Sequence, residues 1–211
     1  MFYMLIDDDQ YPEVWYNSKI DHFRSIDCPV FPGHARAKRN DSNLSIEIKR
    51  KKMGDFVSTV YSDWLITDKT AELFKKLKLT GYKLRNVNIS NKIVPFELWE
   101  FIVVGKAKIH SDSGVKELYH CEHCDLFVRG TSCDSKGVII DESTWDGSDF
   151  FSIEEKDTCV LVTEKVKKIF DIHKLTGILL VPCTEYYLDD IFDSNNNEWS
   201  KEQWKEFYES P

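Results

Sequence analysis

Apolar and polar positions follow one order twice along this chain. From Trp64 to Leu84 a short apolar run, Leu65-Ile66, gives way to a helical spacing at Thr70, Leu73, Phe74 and Leu77. From Val160 to Leu180 the run Leu161-Val162 precedes Val166, Ile169, Phe170 and His173. Recurrence at i, i+3, i+4 and i+7 lays one apolar stripe along each helix. Thr67 and Thr163 stand where an N-cap hydroxyl accepts from the first helical amides, and Asp68 and Glu164 follow at the positive end of the helix dipole. Gly81 and Gly177 fall just past the last periodic residues, where a left-handed cap is needed. Tyr82 to Ile89 and Ile178 to Cys183 then resume as strands. His173, at the end of its stripe, reads as a packed core histidine.

The two segments align without gaps at an offset of 96, and nine of their 21 positions are identical. About one or two would coincide by chance. Upstream, Asp55-Phe56-Val57-Ser58 matches Asp149-Phe150-Phe151-Ser152. The pattern predicts an internal duplication of a strand-helix-strand unit. Further strands are expected at Leu44 to Ile48, Phe96 to Val104 and Val138 to Ile140, between turn signals such as Pro32-Gly33 and Asp146-Gly147. Near the C-terminus, Ser200 and Gln203 form a capping-box pattern, and Trp204, Phe207 and Tyr208 share one helical face.

The expected fold class is therefore α+β, with two related strand-helix-strand units, mostly antiparallel sheet and a small cysteine turn between the copies. Two organisations stay open. One has an N-terminal lobe (1–105) holding the first copy (about 55–89), and a C-terminal lobe (106–211) holding the cysteine turn (about 119–134), the second copy (about 149–183) and the C-terminal helix. The other is a single compact unit.

A chain of 211 residues, 42% of them hydrophobic, can bury a real core. The first apolar stretch is interrupted by Asp7, Asp8 and Asp9 and has no basic residue before it, so no signal peptide or membrane span is expected. Without an export signal, six cysteines point to a reducing, cytoplasmic setting, where thiols stay free or bind metal. The net charge of -8 disfavours general nucleic-acid binding and favours a basic protein partner. The segment His34 to Met53, with seven basic residues, runs against this balance and reads as a solvated strand and turn.

The sharpest chemical motif is His120-Cys121-Glu122-His123-Cys124, with Cys133 nine residues beyond Cys124. A C-x-x-C turn can direct two thiolates at one ion, and tetrahedral zinc needs two more ligands. Cys133 and one of His120, His123 or His110 are the candidates, His120 foremost. A structural zinc and an unmetallated turn both remain open. Cys28, Cys159 and Cys183 stand alone among apolar neighbours and read as core thiols. Asp146 and Asp149, in Trp145-Asp-Gly-Ser-Asp-Phe-Phe, offer a carboxylate pair for a metal-dependent hydrolase. The recurrence of Asp-Phe-x-Ser at Asp55 argues instead for a structural corner.

Taken in order, Leu98-Trp99-Glu100 before a Val-Val-Gly strand end, Cys121-x-x-Cys124, Trp145-Asp-Gly-Ser-Asp-Phe-Phe, Val162-Thr-Glu-Lys-Val166 and Leu175-Thr-Gly177 resemble the bacterial immunity proteins related to double-CXXCG motif proteins. The resemblance runs over roughly residues 55 to 187. Asp125 stands where that family has a glycine after the C-x-x-C, and a lone Cys133 stands for the second C-x-x-C. Members belong to polymorphic toxin systems, in which the immunity protein silences a cognate toxin. The resemblance implies a non-enzymatic, stoichiometric inhibitor whose partner is a toxin, and it supplies no catalytic residue. The acidic residues Asp7, Asp8, Asp9, Asp189, Asp190 and Asp193 are then candidate contacts to the basic cleft of a nuclease toxin.

Overall fold

The computed structural model describes residues 1–11, 13–91, 94–131, 137–186 and 200–210. Along the chain come β1 (Phe2–Asp7), β2 (Trp15–Tyr16), β3 (Phe23–Ile26), β4 (Arg36–Arg39), β5 (Leu44–Glu47), β6 (Phe56–Ser58) and β7 (Trp64–Thr67). Helix α1 (Asp68–Lys76) leads into β8 (Tyr82–Ile89), β9 (Leu98–Val103), β10 (Gly105–Ile109), β11 (Val115–Cys121) and β12 (Leu126–Thr131). Then follow β13 (Ile140–Asp141), β14 (Phe150–Ile153), β15 (Lys156–Thr163), α2 (Glu164–His173), β16 (Ile178–Pro182) and α3 (Lys201–Glu209). The class is α+β, with mostly antiparallel pairing and parallel steps at β5–β8 and β10–β14. Among the described residues no helix is long and apolar enough to cross a membrane.

The chain forms two interleaved compact units, one of Met1–Ile20, Ser42–Lys108 and Ile140–Cys183, the other of Asp21–Asp41, Ile109–Ile139 and Thr184–Pro211. These do not coincide with the expected division at residues 105 and 106. Both strand-helix-strand segments fall in the first unit, because their apolar stripes enter one core rather than one each. Phe56, Phe74, Phe150 and Phe170 belong to that core, and Phe74 stacks on Phe170 with ring centres 6.0 Å apart.

Two sheets build the first unit, in the orders β13-β10-β14-β15-β1-β16 and β2-β5-β8-β9-β7-β6. In the second sheet the outer strands meet at Val14, whose amide donates to the Ser58 carbonyl at 3.0 Å and whose carbonyl accepts from the Val60 amide at 3.2 Å. Leu44, Ile46, Val57, Leu65 and Leu98 fill the space this closure encloses.

Each Asp-Phe corner clasps the Leu-Thr-Gly turn of the other segment. The Asp55 carboxylate accepts from the Thr176 amide at 3.0 Å and the Thr176 hydroxyl at 2.8 Å. The Asp149 carboxylate accepts from the Thr80 amide at 2.9 Å and the Thr80 hydroxyl at 3.3 Å. Gly81 and Gly177 sit in these clasps. A Cβ on Gly81 would lie 1.9 Å from the Phe150 carbonyl oxygen, and one on Gly177 2.0 Å from that of Phe56. The glycines thus allow backbone contact, which corrects their reading as helix caps. The left-handed residues that end α1 and α2 are Lys78 and Lys174, each with φ 51°. The amides of Leu79 and Leu175 then turn back to the carbonyls of Phe74 and Phe170, each at 3.1 Å.

The expected N-caps divide. The Thr67 hydroxyl accepts from the Thr70 amide, whereas the Thr163 hydroxyl is buried without a partner among the described residues. His173 is exposed, not packed, because α2 buries only Val166 and Phe170 fully. The capping box at Ser200 and Gln203 is formed.

Candidate metal centre

Two hairpins of the second unit present ligands from their tips. In β3–β4 the register Ile26 opposite Arg36 closes the loop Asp27 to Ala35, which holds Cys28 and His34. Pro32 opens a single 3-10 turn, Pro32–His34, that brings His34 round, and the Phe31 amide donates to the Cys28 sulfur at 3.3 Å. In β11–β12 the register Cys121 opposite Leu126 leaves a tight turn between them. The Asp125 amide closes it onto the Cys121 carbonyl at 2.9 Å, and Asp125 takes φ 53°. Aspartate tolerates this left-handed conformation better than most residues.

Cys28, His34, Cys121 and Cys124 come together with their ligand atoms within 4.8 Å of one another. The Cys28 and Cys121 sulfurs are 3.9 Å apart, and the Cys124 sulfur is 3.7 Å from His34 Nδ1. Tetrahedral zinc, with bonds of about 2.3 Å to sulfur and 2.05 Å to nitrogen, requires edges of about 3.8 Å and 3.6 Å. The donor set and its spacing fit zinc. Each of the two hairpin tips supplies two of the four donors.

The electrostatics favour the thiolate at Cys28 and Cys121 and oppose it at Cys124. Burial opposes ionisation of Cys28, but amide donors, chiefly those of Phe31 and Val30, outweigh it and hold the thiol below its ordinary value. Cys121 is likewise lowered against burial, chiefly by the amides of His123 and Cys124 and by the Cys124 thiol. Cys124 is raised, by burial foremost and by the neighbouring sulfurs, against the Arg36 donor. Arg36 reaches the Cys124 sulfur at 3.5 Å and also donates to the Cys124 carbonyl. Three thiolates around a divalent ion would leave one negative charge, which this guanidinium would offset.

His34 is 2% exposed, and its Nε2 lies 2.8 Å from the Tyr208 main-chain carbonyl. A carbonyl only accepts, so Nε2 carries the proton and Nδ1 offers its lone pair towards the thiols. Aromatic rings wall the site: Phe31 and Tyr119 lie against His34, and Tyr208 stacks on Tyr119 with ring centres 4.9 Å apart.

Of the four expected ligands, Cys121 and Cys124 enter the cluster and Cys133 lies outside the described residues. His120 does not enter. It is the strand neighbour of Cys121, so it projects to the opposite face, where its ring stacks on Phe127 at 3.9 Å. His34 is the histidine that joins the cluster. Cys28, expected as a core thiol, is a cluster member. The sign that finds the pair is Cys28 and His34 flanking a Pro32-Gly33 turn, two ligand types six positions apart. Cys159 and Cys183 do fit the core reading, with burial pushing their thiols to about 11 and about 12. His110 caps the 3-10 turn Ser111–Ser113, and His123 packs near Phe31.

The tempting carboxylates serve the scaffold. Asp149 is 7% exposed and engaged by Thr80 and, at 2.9 Å, by Lys165. Asp146 accepts from the amides of Lys106 and Ser148. Asp7 and Asp9 are exposed, while Asp8 closes a turn by accepting from the Gln10 and Tyr11 amides. Asp189, Asp190 and Asp193 lie outside the described residues. The basic segment is divided: Arg36 serves the thiol cluster, whereas Lys49 and Lys52 lie over the rings of Trp15 and Tyr11. A scan against protein-family models and a search of curated proteins return no match for the chain.

Proposed function

We propose that the protein is a cytoplasmic immunity protein, a stoichiometric inhibitor of a cognate bacterial toxin, built around a structural zinc site formed by Cys28, His34, Cys121 and Cys124. The observation that carries the non-enzymatic reading is the closed ligand set. Three cysteines and a histidine fill a tetrahedron, whereas a catalytic zinc keeps one position for water. The engagement of Asp149 by Thr80 and Lys165 supports the same reading, since it removes the strongest carboxylate from the hydrolase alternative. The order of motifs from Leu98 to Gly177 supports the immunity family, and the net charge of -8 suits a basic toxin surface. The nine shared identities and the reciprocal clasps support descent of both strand-helix-strand segments from one duplicated unit.

Co-purification with the product of the neighbouring toxin gene tests the reading. The expected result is one-to-one complex formation, with loss of toxin activity at equimolar protein. A toxin whose activity and stability are both unaltered overturns it, and turnover of a phosphodiester or peptide that disappears with the metal would establish the hydrolase instead.

A further inference from the structure

The Tyr208 carbonyl that accepts from His34 belongs to α3, an element far from the ligands in sequence. We infer that α3 is an outer-shell component of the metal centre, so that metal binding and docking of this helix form one cooperative event. The inference rests on the zinc reading above and adds a regulated element to it.

Three observations meet at this point. First, the Nε2 proton of His34 is held at 2.8 Å by a main-chain carbonyl in the last turn of α3. This contact selects the tautomer whose Nδ1 lies 3.7 Å from the Cys124 sulfur. A partner on the far nitrogen of a ligating histidine orients the ring and raises its basicity, and removing such partners costs about 10- to 100-fold in metal affinity. Second, Trp204 of α3 is 3% exposed and shares an apolar cluster with Cys28, Tyr119 and Cys121. The helix therefore packs on the residues that carry two of the thiols. Third, Tyr208 continues the wall, with its ring on Tyr119 at 4.9 Å and against His34 at 5.7 Å. By linkage, what the docked helix adds to metal affinity the metal returns to helix docking. A metal-loaded centre holds α3; an empty one loosens it.

The test uses the full chain. Zinc affinity is measured by chelator competition, cobalt(II) absorption reports the ligand set, and hydrogen exchange reports protection of the α3 amides. In the unsubstituted protein, zinc slows exchange of the Trp204 to Ser210 amides by about tenfold or more. His34→Cys keeps four ligands but removes the proton donated to Tyr208. It is expected to bind cobalt with an all-sulfur spectrum, while its α3 exchange no longer responds to metal. Trp204→Ala keeps all four ligands and is expected to show the three-sulfur, one-nitrogen cobalt spectrum with affinity about 10- to 100-fold lower. Tight zinc binding with α3 exchange indifferent to metal overturns the coupling and leaves the zinc site standing. Failure of the unsubstituted protein to bind zinc or cobalt overturns both.

Discussion

Asp63 shows how one residue ties the stability of the first unit to pH. Its carboxylate accepts from the Tyr16 and Thr59 hydroxyls, and burial, reinforced by the charge of Glu100 and opposed by Arg85, raises its pKa from 3.8 to about 7. The folded state therefore retains a proton that the unfolded chain releases near 3.8. The contribution of this proton is complete below that value and is lost as pH rises through about 7. Urea midpoints should fall between pH 5 and pH 8, and Asp63→Asn should flatten that fall. An unchanged pH slope in the variant would show that Asp63 is not the titrating group. Nothing in the order of residues around Asp63 signals this shift, because the burial that chiefly causes it comes from tertiary packing, and the charges that reinforce and oppose it, Glu100 and Arg85, arrive from β9 and β8.

At the scale of elements, local pattern reached far. The two amphipathic helices, the strands after them and the capping box of α3 are all legible, since 3.6-residue periodicity and caps act over a few residues. The helix ends were less so. Lys78 and Lys174 take left-handed backbone at φ 51° although nothing in a lysine announces it. The carbonyls of Phe74 and Phe170 claim the amides beyond them, and this closure imposes the conformation. Lys174→Gly should relieve that strain and stabilise the protein by about 0.5 to 1 kcal/mol in equilibrium unfolding. Destabilisation would mean that the lysine side chain contributes more than the backbone loses.

At the scale of the molecule, the two strand-helix-strand segments share one core and exchange clasps between Asp55 and Thr176 and between Asp149 and Thr80. Removing either carboxylate leaves an amide and a hydroxyl without their acceptor in a half-buried corner. Asp55→Ala and Asp149→Ala should each lower the unfolding free energy by about 2 kcal/mol. Zinc stoichiometry should not change, because all four candidate ligands lie in the other compact unit. Loss of bound metal in either variant would contradict that separation.

By itself the sequence determined the local units: the repeated strand-helix-strand pattern, the α+β class, the structural character of the Asp-Phe corners, and Cys121 and Cys124 as a candidate ligand pair. These follow from periodicity, caps and short spacings. Only the tertiary structure decided the interleaving of two units, the use of Gly81 and Gly177 for backbone contact, and the completion of the thiol pair by Cys28 and His34 in place of His120. Such features depend on which distant turns meet. His120 was nearer along the chain, but strand alternation points it away, and a hairpin some ninety residues earlier supplies the missing donors.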